Sequence, residues 1–323
     1  MKTKLFTIIL VQLLLMACIT NKAIVAPQEK FEADTFSIDQ TKLIEHLKTI
    51  SSDEFTGRKI GTLGNLKSRN YLESQLKKYN VAPFIDSYHH KFINHYFLKD
   101  VIGDNIIGVV EGVDFPNEYI VLTAHFDHLG IKGDVIYNGA DDNASGTAAL
   151  LSLAREISLT PLRYSVLFLF TDGEESNLLG AKAFLRDFDS VVPAIKLNIN
   201  LDMIAGNNNT STLHFITRGV HNLMSDIDYQ NLQNQLYNSE VNIKKGFKFA
   251  SNVRNIGRGR HKWLISSDHG VFYRKKIPFI YFGVGTHENY HTSKDTFDNI
   301  NQSFYISATQ SIYQYILMLD QYI

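Results

Sequence analysis

Cysteine is nearly absent from this chain of 323 residues, which contains only Cys18. A single cysteine excludes any intramolecular disulfide. The chain also has no large excess of positive charge, since its formal net charge is −1. Such a balance gives no electrostatic reason to expect binding to nucleic acid. The sequence has no internal repeat and no low-complexity tract, and its 44% hydrophobic and 20% charged residues are typical of a globular protein. We therefore expect one domain with a sizeable core and no nucleic-acid partner.

The apolar run near the N-terminus is too short for a permanent transmembrane helix. It extends from Leu5 to Ala17, 13 residues, and follows the positive charges of Lys2 and Lys4. A short apolar run after a positive start is typical of an export signal. The predicted organisation is a signal peptide at 1–17, a tether at 18–37 and a single domain at 38–323.

The end of the apolar run, Leu15-Met16-Ala17-Cys18, resembles the lipobox of bacterial lipoproteins. This resemblance implies that Cys18 is lipid-modified and becomes the first residue of the mature chain. It also implies an exported protein held at a membrane only by this anchor, in the outer membrane and facing the periplasm or the exterior. The alternative is ordinary secretion, with Cys18 an incidental apolar residue.

Strands and helices alternate along the rest of the chain. Apolar residues at helical spacing predict helices, and nearly continuous apolar runs predict strands covered on both faces. The alternation is typical of an α/β fold, here a three-layer α/β/α sandwich around a mostly parallel mixed sheet. We interpret the Asn- and Gln-rich stretch 207–242 as an insertion. The predicted helices are 40–51, 65–79 and 302–319, with another beginning near Ser176, and the predicted strands are 105–110, 119–124, 164–170, 195–201 and 278–284.

The stretch from Gly139 to Gly146 (GADDNASG) leads into a helix that carries no charge between Ala144 and Ala154. A helix of such small residues is expected to lie buried against the sheet. Two acids and an amide at its start have a structural explanation, since they cap free N–H groups and favour the helix dipole. The second interpretation is that Asp142 is the central carboxylate of a metal site.

Polar side chains with metal-ligand chemistry follow three predicted strands. His125 and Asp127 follow the first, Glu174 and Glu175 the second, and Asp202 the third. Taken singly, they are consistent with a core histidine, the acids of a first helical turn and a turn cap. In open α/β sheets, however, ligands bind at the carboxyl ends of the strands, where these residues converge. The convergence favours a metal site.

Three further observations support that interpretation. Asp127 is spaced to hydrogen-bond the ring of His125, as carboxylates around metal-binding histidines do. The adjacent acids Glu174 and Glu175 allow one to bind metal while the other transfers protons. His291 lies in a polar loop, where a histidine has no packing role.

Six stretches, in this order, resemble the motifs of the co-catalytic di-zinc aminopeptidases, a family that includes secreted bacterial leucyl-type exopeptidases. They cover the chain from about Glu54 to its C-terminus. The resemblance implies the zinc-exopeptidase fold and metal-dependent hydrolysis of peptide bonds at the N-terminus of peptides. The stretches are Ala124–Gly130, Asn138–Gly146, Thr171–Gly180, Asn200–Ile204, Ser267–His269 and His287–Thr296.

The family pattern implies two Zn²⁺ ions per chain and a peptide with a free N-terminus as the substrate. Zinc accepts mixed imidazole and carboxylate ligands and leaves a position open for water. Glu174 is the implied general base, taking a proton from that water and passing it to the leaving amine. The implied ligands are His125 and Asp202 for one ion, Glu175 and His291 for the other, and Asp142 between the two.

Three rival functions remain open. The first is a glutaminyl cyclase, which has the same fold but one zinc; cyclases favour a tryptophan just before the last histidine, where this chain has Tyr290. The second is a carboxypeptidase-type di-zinc hydrolase, and the third is a binding lipoprotein without turnover. Tyr290 itself has two interpretations: its hydroxyl donates to the oxyanion of the reaction, or its ring packs beneath the loop.

Overall fold

The computed structural model describes residues 36–95, 100–247 and 263–323. The predicted signal peptide, Cys18 and most of the predicted tether lie outside these ranges. Phe36, in the last part of the predicted tether, packs against the core, and its carbonyl accepts a hydrogen bond from Gln310 Nε2 (2.8 Å). No helix in the described ranges has both the length and the apolar character needed to cross a membrane.

Eleven strands are present in the described part of the chain. Five of them correspond to predicted strands, although the first of these begins at Asp100 rather than at residue 105. The strands are β1 (Ala82–Pro83), β2 (His89–His95), β3 (Asp100–Val110), β4 (Phe115–His125), β5 (Gly130–Lys132), β6 (Val135–Tyr137), β7 (Tyr164–Thr171), β8 (Ile195–Leu201), β9 (Thr212–Arg218), β10 (Asn242–Lys245) and β11 (Phe279–Gly283).

The main sheet has the strand order β1-β3-β7-β4-β8-β11-β9-β10, and β2 also pairs with β3. The four central strands β7, β4, β8 and β11 are parallel to one another, while β3 and β9 pair with this block in the antiparallel sense. The carboxyl ends of the central strands therefore meet at one edge of the sheet, where His125 on β4 lies opposite Thr171 on β7.

The described helices begin and end close to the predicted positions where their caps are readable in the sequence. Asp39 accepts a hydrogen bond from the N–H of Lys42 (3.0 Å), and Asn301 accepts one from the N–H of Phe304 (3.2 Å). The helices are α1 (Gln40–Ile50), α2 (Leu63–Lys78), α3 (Gly146–Leu159), α4 (Leu179–Asp187), α5 (Asp226–Tyr237), α6 (His269–Arg274) and α7 (Gln302–Tyr322).

Strand β7 shows how the three layers form. Its alternate residues Phe168 and Phe170 belong to the core on one face of the sheet, which includes residues of α1, α3 and α7. Leu167 and Leu169 point to the other face, where they pack with residues of α4 and α6. Every residue of this strand is buried, as its continuous apolar run predicts. The three-layer α/β/α prediction is confirmed.

Two predictions of local structure are wrong. Helix α4 begins at Leu179 rather than near Ser176, because Asn177 (φ 79°) and Leu178 (φ 60°) adopt left-handed conformations that interrupt a right-handed helix. The stretch 207–242 is not a simple insertion: β9 pairs with β11, β10 begins at residue 242, and α5 lies between them. This stretch therefore extends the sheet.

Candidate metal centre

The predicted Asp142 turn leads into α3 and is fastened to the end of β8. The side chain of Asn143 makes this connection: its Oδ1 accepts hydrogen bonds from the N–H of Gly146 (2.9 Å) and of Met203 (3.1 Å). Its Nδ2 donates to the carbonyl of Leu201 (2.9 Å). Because Asp202 lies between Leu201 and Met203, the same amide holds Asp142 and Asp202 close together.

The carboxylate of Asp142 lies between two imidazoles. Its Oδ1 is 3.5 Å from His125 Nε2, and its Oδ2 is 3.0 Å from His291 Nε2. Asp295 fixes the main chain here, since its carboxylate accepts hydrogen bonds from the N–H groups of Asp141 (2.8 Å) and Asp142 (3.0 Å). Each carboxylate oxygen of Asp142 therefore faces a different histidine.

One group of potential ligands contains His125, Glu174 and Asp202, whose ligand atoms lie within 4.8 Å of one another. His125 Nε2 is 3.4 Å from Asp202 Oδ1. The other ring nitrogen, Nδ1, hydrogen-bonds to the main-chain carbonyl of Asp127 (3.1 Å). An Nδ1–H that donates to this carbonyl leaves Nε2 with the lone pair that a metal needs.

The expected role of Asp127 needs a correction. Its carboxylate does not hydrogen-bond the ring of His125, because Asp127 Oδ1 lies 3.8 Å from His125 Nδ1. The carboxylate instead accepts a hydrogen bond from the main-chain N–H of Glu174 (3.0 Å). Asp127 is thus a positioning residue that connects the end of β4 to the Glu174 turn, and its carbonyl orients His125.

A second group contains His128, Asp142 and Glu175, with ligand atoms again within 4.8 Å of one another. His291 adjoins it, since His291 Nε2 is 3.1 Å from Glu175 Oε1. The structure thus brings the five predicted ligands together, with Asp142 in the middle of the other four. His128 is a site residue that sequence analysis missed. The available signal was its position beside Asp127 in the same motif, His125-Phe126-Asp127-His128.

The charge and hydrogen bonding of the site fit a bound cation. Burial raises the pKa of Glu174 well above its ordinary value, and the carboxylate of Asp202 adds to this shift. Asp142 Oδ2 and Glu175 Oε1 are buried and make no hydrogen bond within the described structure, although His291 Nε2 lies close to both. Buried carboxylate oxygens without donors are costly unless a cation binds them. The residues present therefore fit a metal, and their imidazole and carboxylate donors suit zinc.

These groups open into a cavity of about 350 Å³. Its lining includes acids and histidines as well as Met203, Ile265, Trp263 and Tyr281. Tyr281 is stacked on His269 with ring centroids 4.4 Å apart. The cavity thus combines polar and apolar lining residues, as small-molecule sites commonly do.

Tyr290 lines this cavity and stacks on the neighbouring ring of His291, with ring centroids 3.9 Å apart. Burial raises the pKa of its hydroxyl above the ordinary value. A neutral phenol can donate a hydrogen bond, so a role beside the reacting atoms is chemically available to Tyr290.

The fully buried guanidinium of Arg58 hydrogen-bonds to main-chain carbonyls of the loops around the site. It donates hydrogen bonds to the carbonyls of Phe126 (2.8 Å), Gly139 (2.9 Å) and Ile50 (3.0 Å), and to that of Asn138. Burial lowers the pKa of Arg58 to about 10, so the group stays charged at neutral pH. Arg58 therefore joins the loop after β4 to the loop before Asp142, a role that sequence analysis missed.

Asp141 also fixes the loops around the site, and its carboxylate bonds to groups other than His125 and His291. Its Oδ1 accepts hydrogen bonds from the N–H groups of Ala205 (2.9 Å) and Gly206 (2.7 Å). Its Oδ2 is 2.8 Å from Nε2 of His287, on the loop that carries His291. Adjacent aspartates thus have different surroundings: Asp142 faces the histidines of the site, and Asp141 ties the surrounding loops together.

Comparison with known proteins gives a consistent result. The sequence model described as peptidase family M28 matches residues 105–316. The alkaline phosphatase isozyme conversion protein of Escherichia coli is 30% identical over 163 residues, which are 46% of this chain and 47% of that protein. The chain thus aligns with less than half of this curated relative.

Two solved structures share the fold. A zinc aminopeptidase from Bacillus subtilis superposes with a TM-score of 0.66 at 15% identity, covering 86% of this chain and 94% of that one. A glutaminyl cyclase from Porphyromonas gingivalis superposes with a TM-score of 0.64 at 17% identity, covering 88% of this chain and 98% of that one.

Proposed function

The chain belongs to peptidase family M28, and we propose that it is a zinc-dependent aminopeptidase that uses two metal ions. One observation carries the proposal: the two oxygens of Asp142 face two different histidines, His125 at 3.5 Å and His291 at 3.0 Å. A carboxylate in this arrangement is suited to bridge two ions. A single-metal site does not require the second histidine on the far side of the carboxylate.

The residues that would hold the ions come from separate elements of the fold. Asp142 is shared, and each ion adds one histidine and one acid, so each has mixed ligands and room for a further one. Bound zinc supplies an acidified water and polarises the carbonyl of the scissile peptide bond. The proposed ligands are His125 and Asp202 on one side and Glu175 and His291 on the other.

Glu174 is the proposed general base. It lines the cavity beside His125 and Asp202, and the hydrogen bond from its N–H to Asp127 fixes its main chain. Burial raises its pKa, which brings the carboxylate closer to the range in which it accepts a proton from water and returns it to the leaving amine. Glu175, one residue on, faces His128 and His291 instead.

The cavity is compatible with an exopeptidase. A volume of about 350 Å³ has room for one or two residues of a peptide. The lining residues Met203, Ile265 and Tyr281 offer apolar surface for the first side chain of the substrate. A peptide with a free N-terminus is the partner that we propose.

The second candidate is a single-zinc glutaminyl cyclase, because the solved cyclase has a TM-score nearly equal to that of the aminopeptidase. The two reactions differ in their substrates: the cyclase needs an N-terminal glutamine, whereas the aminopeptidase cleaves many N-terminal residues.

The test is a substrate panel assayed with purified residues 19–323. The panel contains aminoacyl amides, the same amides with blocked N-termini, and peptides that begin with glutamine. An aminopeptidase releases amino acids from the first set and leaves the blocked set intact. Formation of pyroglutamate without release of amino acids would contradict the proposal and support the cyclase.

A further inference from the structure

His128 is buried beside the second ligand group, and its nearest polar neighbours are carboxylate oxygens of that group. Its side chain is almost fully buried, with the residue 1% exposed, and neither ring nitrogen makes a hydrogen bond within the described structure. Burying an imidazole without hydrogen bonds is costly, and a cation bound at a ring nitrogen would offset that cost.

A glycine leaves room for the ring. Gly139 has a φ of +56°, and a Cβ added there would lie 2.5 Å from ring atoms of His128. The absence of a side chain at Gly139 thus provides the space in which the imidazole of His128 lies. The ring is directed towards the second ligand group rather than towards solvent.

Nδ1 of His128 is 3.0 Å from Glu175 Oε1 and 3.7 Å from Asp142 Oδ2. These are the same two oxygens that lack hydrogen-bond donors, and His291 Nε2 is 3.1 Å and 3.0 Å from them. Two ligands that each bind zinc at 2.0–2.1 Å with a tetrahedral angle are about 3.3 Å apart. The distances from the two histidine nitrogens to the two carboxylate oxygens, 3.0 to 3.7 Å, are close to this ligand-to-ligand distance.

We propose that His128 Nδ1 is an additional zinc ligand at the position formed by Asp142, Glu175 and His291, an inference that rests on the proposed function. This position then has four protein ligands, as structural zinc sites do. The position formed by His125 and Asp202 keeps fewer ligands and remains open for water and substrate. The two ions therefore differ: the ion at His128 is retained, and the other exchanges more readily.

The alternative is that His128 only orients Glu175 through a hydrogen bond. Replacement by asparagine separates the two roles, because its side-chain amide places a polar atom near the position of Nδ1 but is a poor zinc ligand. His128→Asn keeps a hydrogen-bonding group beside Glu175 and removes the proposed metal ligand. His46→Asn is the matched control, since His46 is also 1% exposed and its ring nitrogens hydrogen-bond to the hydroxyls of Tyr71 and Tyr79, away from the site.

The experiment is proton NMR of the full protein loaded with cobalt(II). Each histidine bound to this paramagnetic ion gives one strongly shifted N–H signal that disappears in D₂O. We expect three such signals from the wild type and from His46→Asn, and two from His128→Asn. Two signals from the wild type, unchanged in His128→Asn, would overturn the proposal for His128 and leave the aminopeptidase intact, because His125 and His291 account for both.

Zinc retention provides a second measurement. In zinc-buffered solution, we expect His128→Asn to bind its tighter equivalent more than about 100-fold less strongly, beyond the usual cost of losing a residue that merely supports a ligand. Retention equal to that of the wild type would contradict the assignment. If the wild type takes up only one equivalent of zinc, the two-metal proposal is contradicted. The cobalt(II) NMR spectrum still tests His128 in that case, because the loss of one shifted N–H signal in His128→Asn shows that His128 binds the ion.

Discussion

At the scale of single residues, the neighbouring acids Glu174 and Glu175 are expected to have different roles, one in proton transfer and the other in metal binding. Glu174→Gln keeps the size of the side chain but cannot accept a proton from water. We expect it to retain both metals and to lose about 10²- to 10⁴-fold in turnover, the usual effect of removing a positioned base. Because the loss falls on the chemical step, kcat and kcat/KM should fall together in steady-state assays.

Glu175→Gln should fail differently, because it replaces a charged ligand whose Oε1 lies 3.1 Å from His291 Nε2. We expect metal to be lost first and activity to return in part when zinc is added. The pair would be wrongly assigned if Glu174→Gln lost metal while Glu175→Gln kept both ions and was only slower. The exposed acid Glu111 provides the control, and Glu111→Gln should change neither the metal content nor the turnover.

At the scale of structural elements, the loops of the site depend on Arg58. Arg58→Met leaves four main-chain carbonyls without their donor. Since one buried unsatisfied group costs about 1–3 kcal/mol, we expect the free energy of unfolding to fall by at least about 3 kcal/mol. Urea denaturation measures this change. Arg186→Met is the control, because Arg186 is exposed and its guanidinium bonds to the neighbouring Asp187. A loss of less than about 1 kcal/mol in Arg58→Met would contradict the proposed role of Arg58.

Helices α1 and α2 are joined by His46, whose ring nitrogens contact the hydroxyls of Tyr71 (2.7 Å) and Tyr79 (2.8 Å). Burial lowers the pKa of His46 from 6.5 to about 4. Between these pH values the unfolded chain binds a proton that the folded protein does not bind, so His46 makes the protein less stable as the pH falls.

The loss amounts to about 1.4 kcal/mol per pH unit within that window. His46→Asn removes this proton linkage. We therefore expect the destabilisation caused by His46→Asn to be about 2 kcal/mol smaller at pH 5 than at pH 7. Urea denaturation at both pH values is the measurement, and an equal destabilisation at the two values would contradict the linkage.

At the scale of the whole molecule, the central fold could be predicted because its signals are local. Strands buried on both faces are continuous apolar runs, as in β7 and β8, and helix caps such as Asn301 are readable from single residues. Strand β9 was missed because polar residues surround it, although Leu213 and Phe215 alternate with outward-facing residues as in a half-buried strand. Its pairing with β11, a contact distant in sequence, is not readable from local pattern.

In the candidate site, too, some residues were predictable from the sequence and others were not. Residues at strand ends, such as His125 and Asp202, were predictable from their position after apolar runs. Arg58 was not, because its partners are main-chain carbonyls that leave no trace in the sequence. The actual partner of the Asp127 carboxylate, the N–H of Glu174, was hidden for the same reason.

Localisation is a further proposal at this scale. The motif ending in Cys18 leads us to expect a lipid-modified protein in the membrane fraction. Cys18→Ala should lack the lipid mass at its N-terminus and should leave that fraction. Mass spectrometry and fractionation measure both properties. A Cys18→Ala protein that remains wholly in the membrane with an unchanged N-terminal mass would contradict lipidation.

The two-metal claim is tested most directly by locating zinc in crystals through anomalous scattering at the zinc absorption edge. We expect two peaks, one beside His125 and Asp202 and the other beside Glu175 and His291, with Asp142 between them. A single peak in crystals grown with excess zinc would contradict the two-metal aminopeptidase and support the single-zinc cyclase.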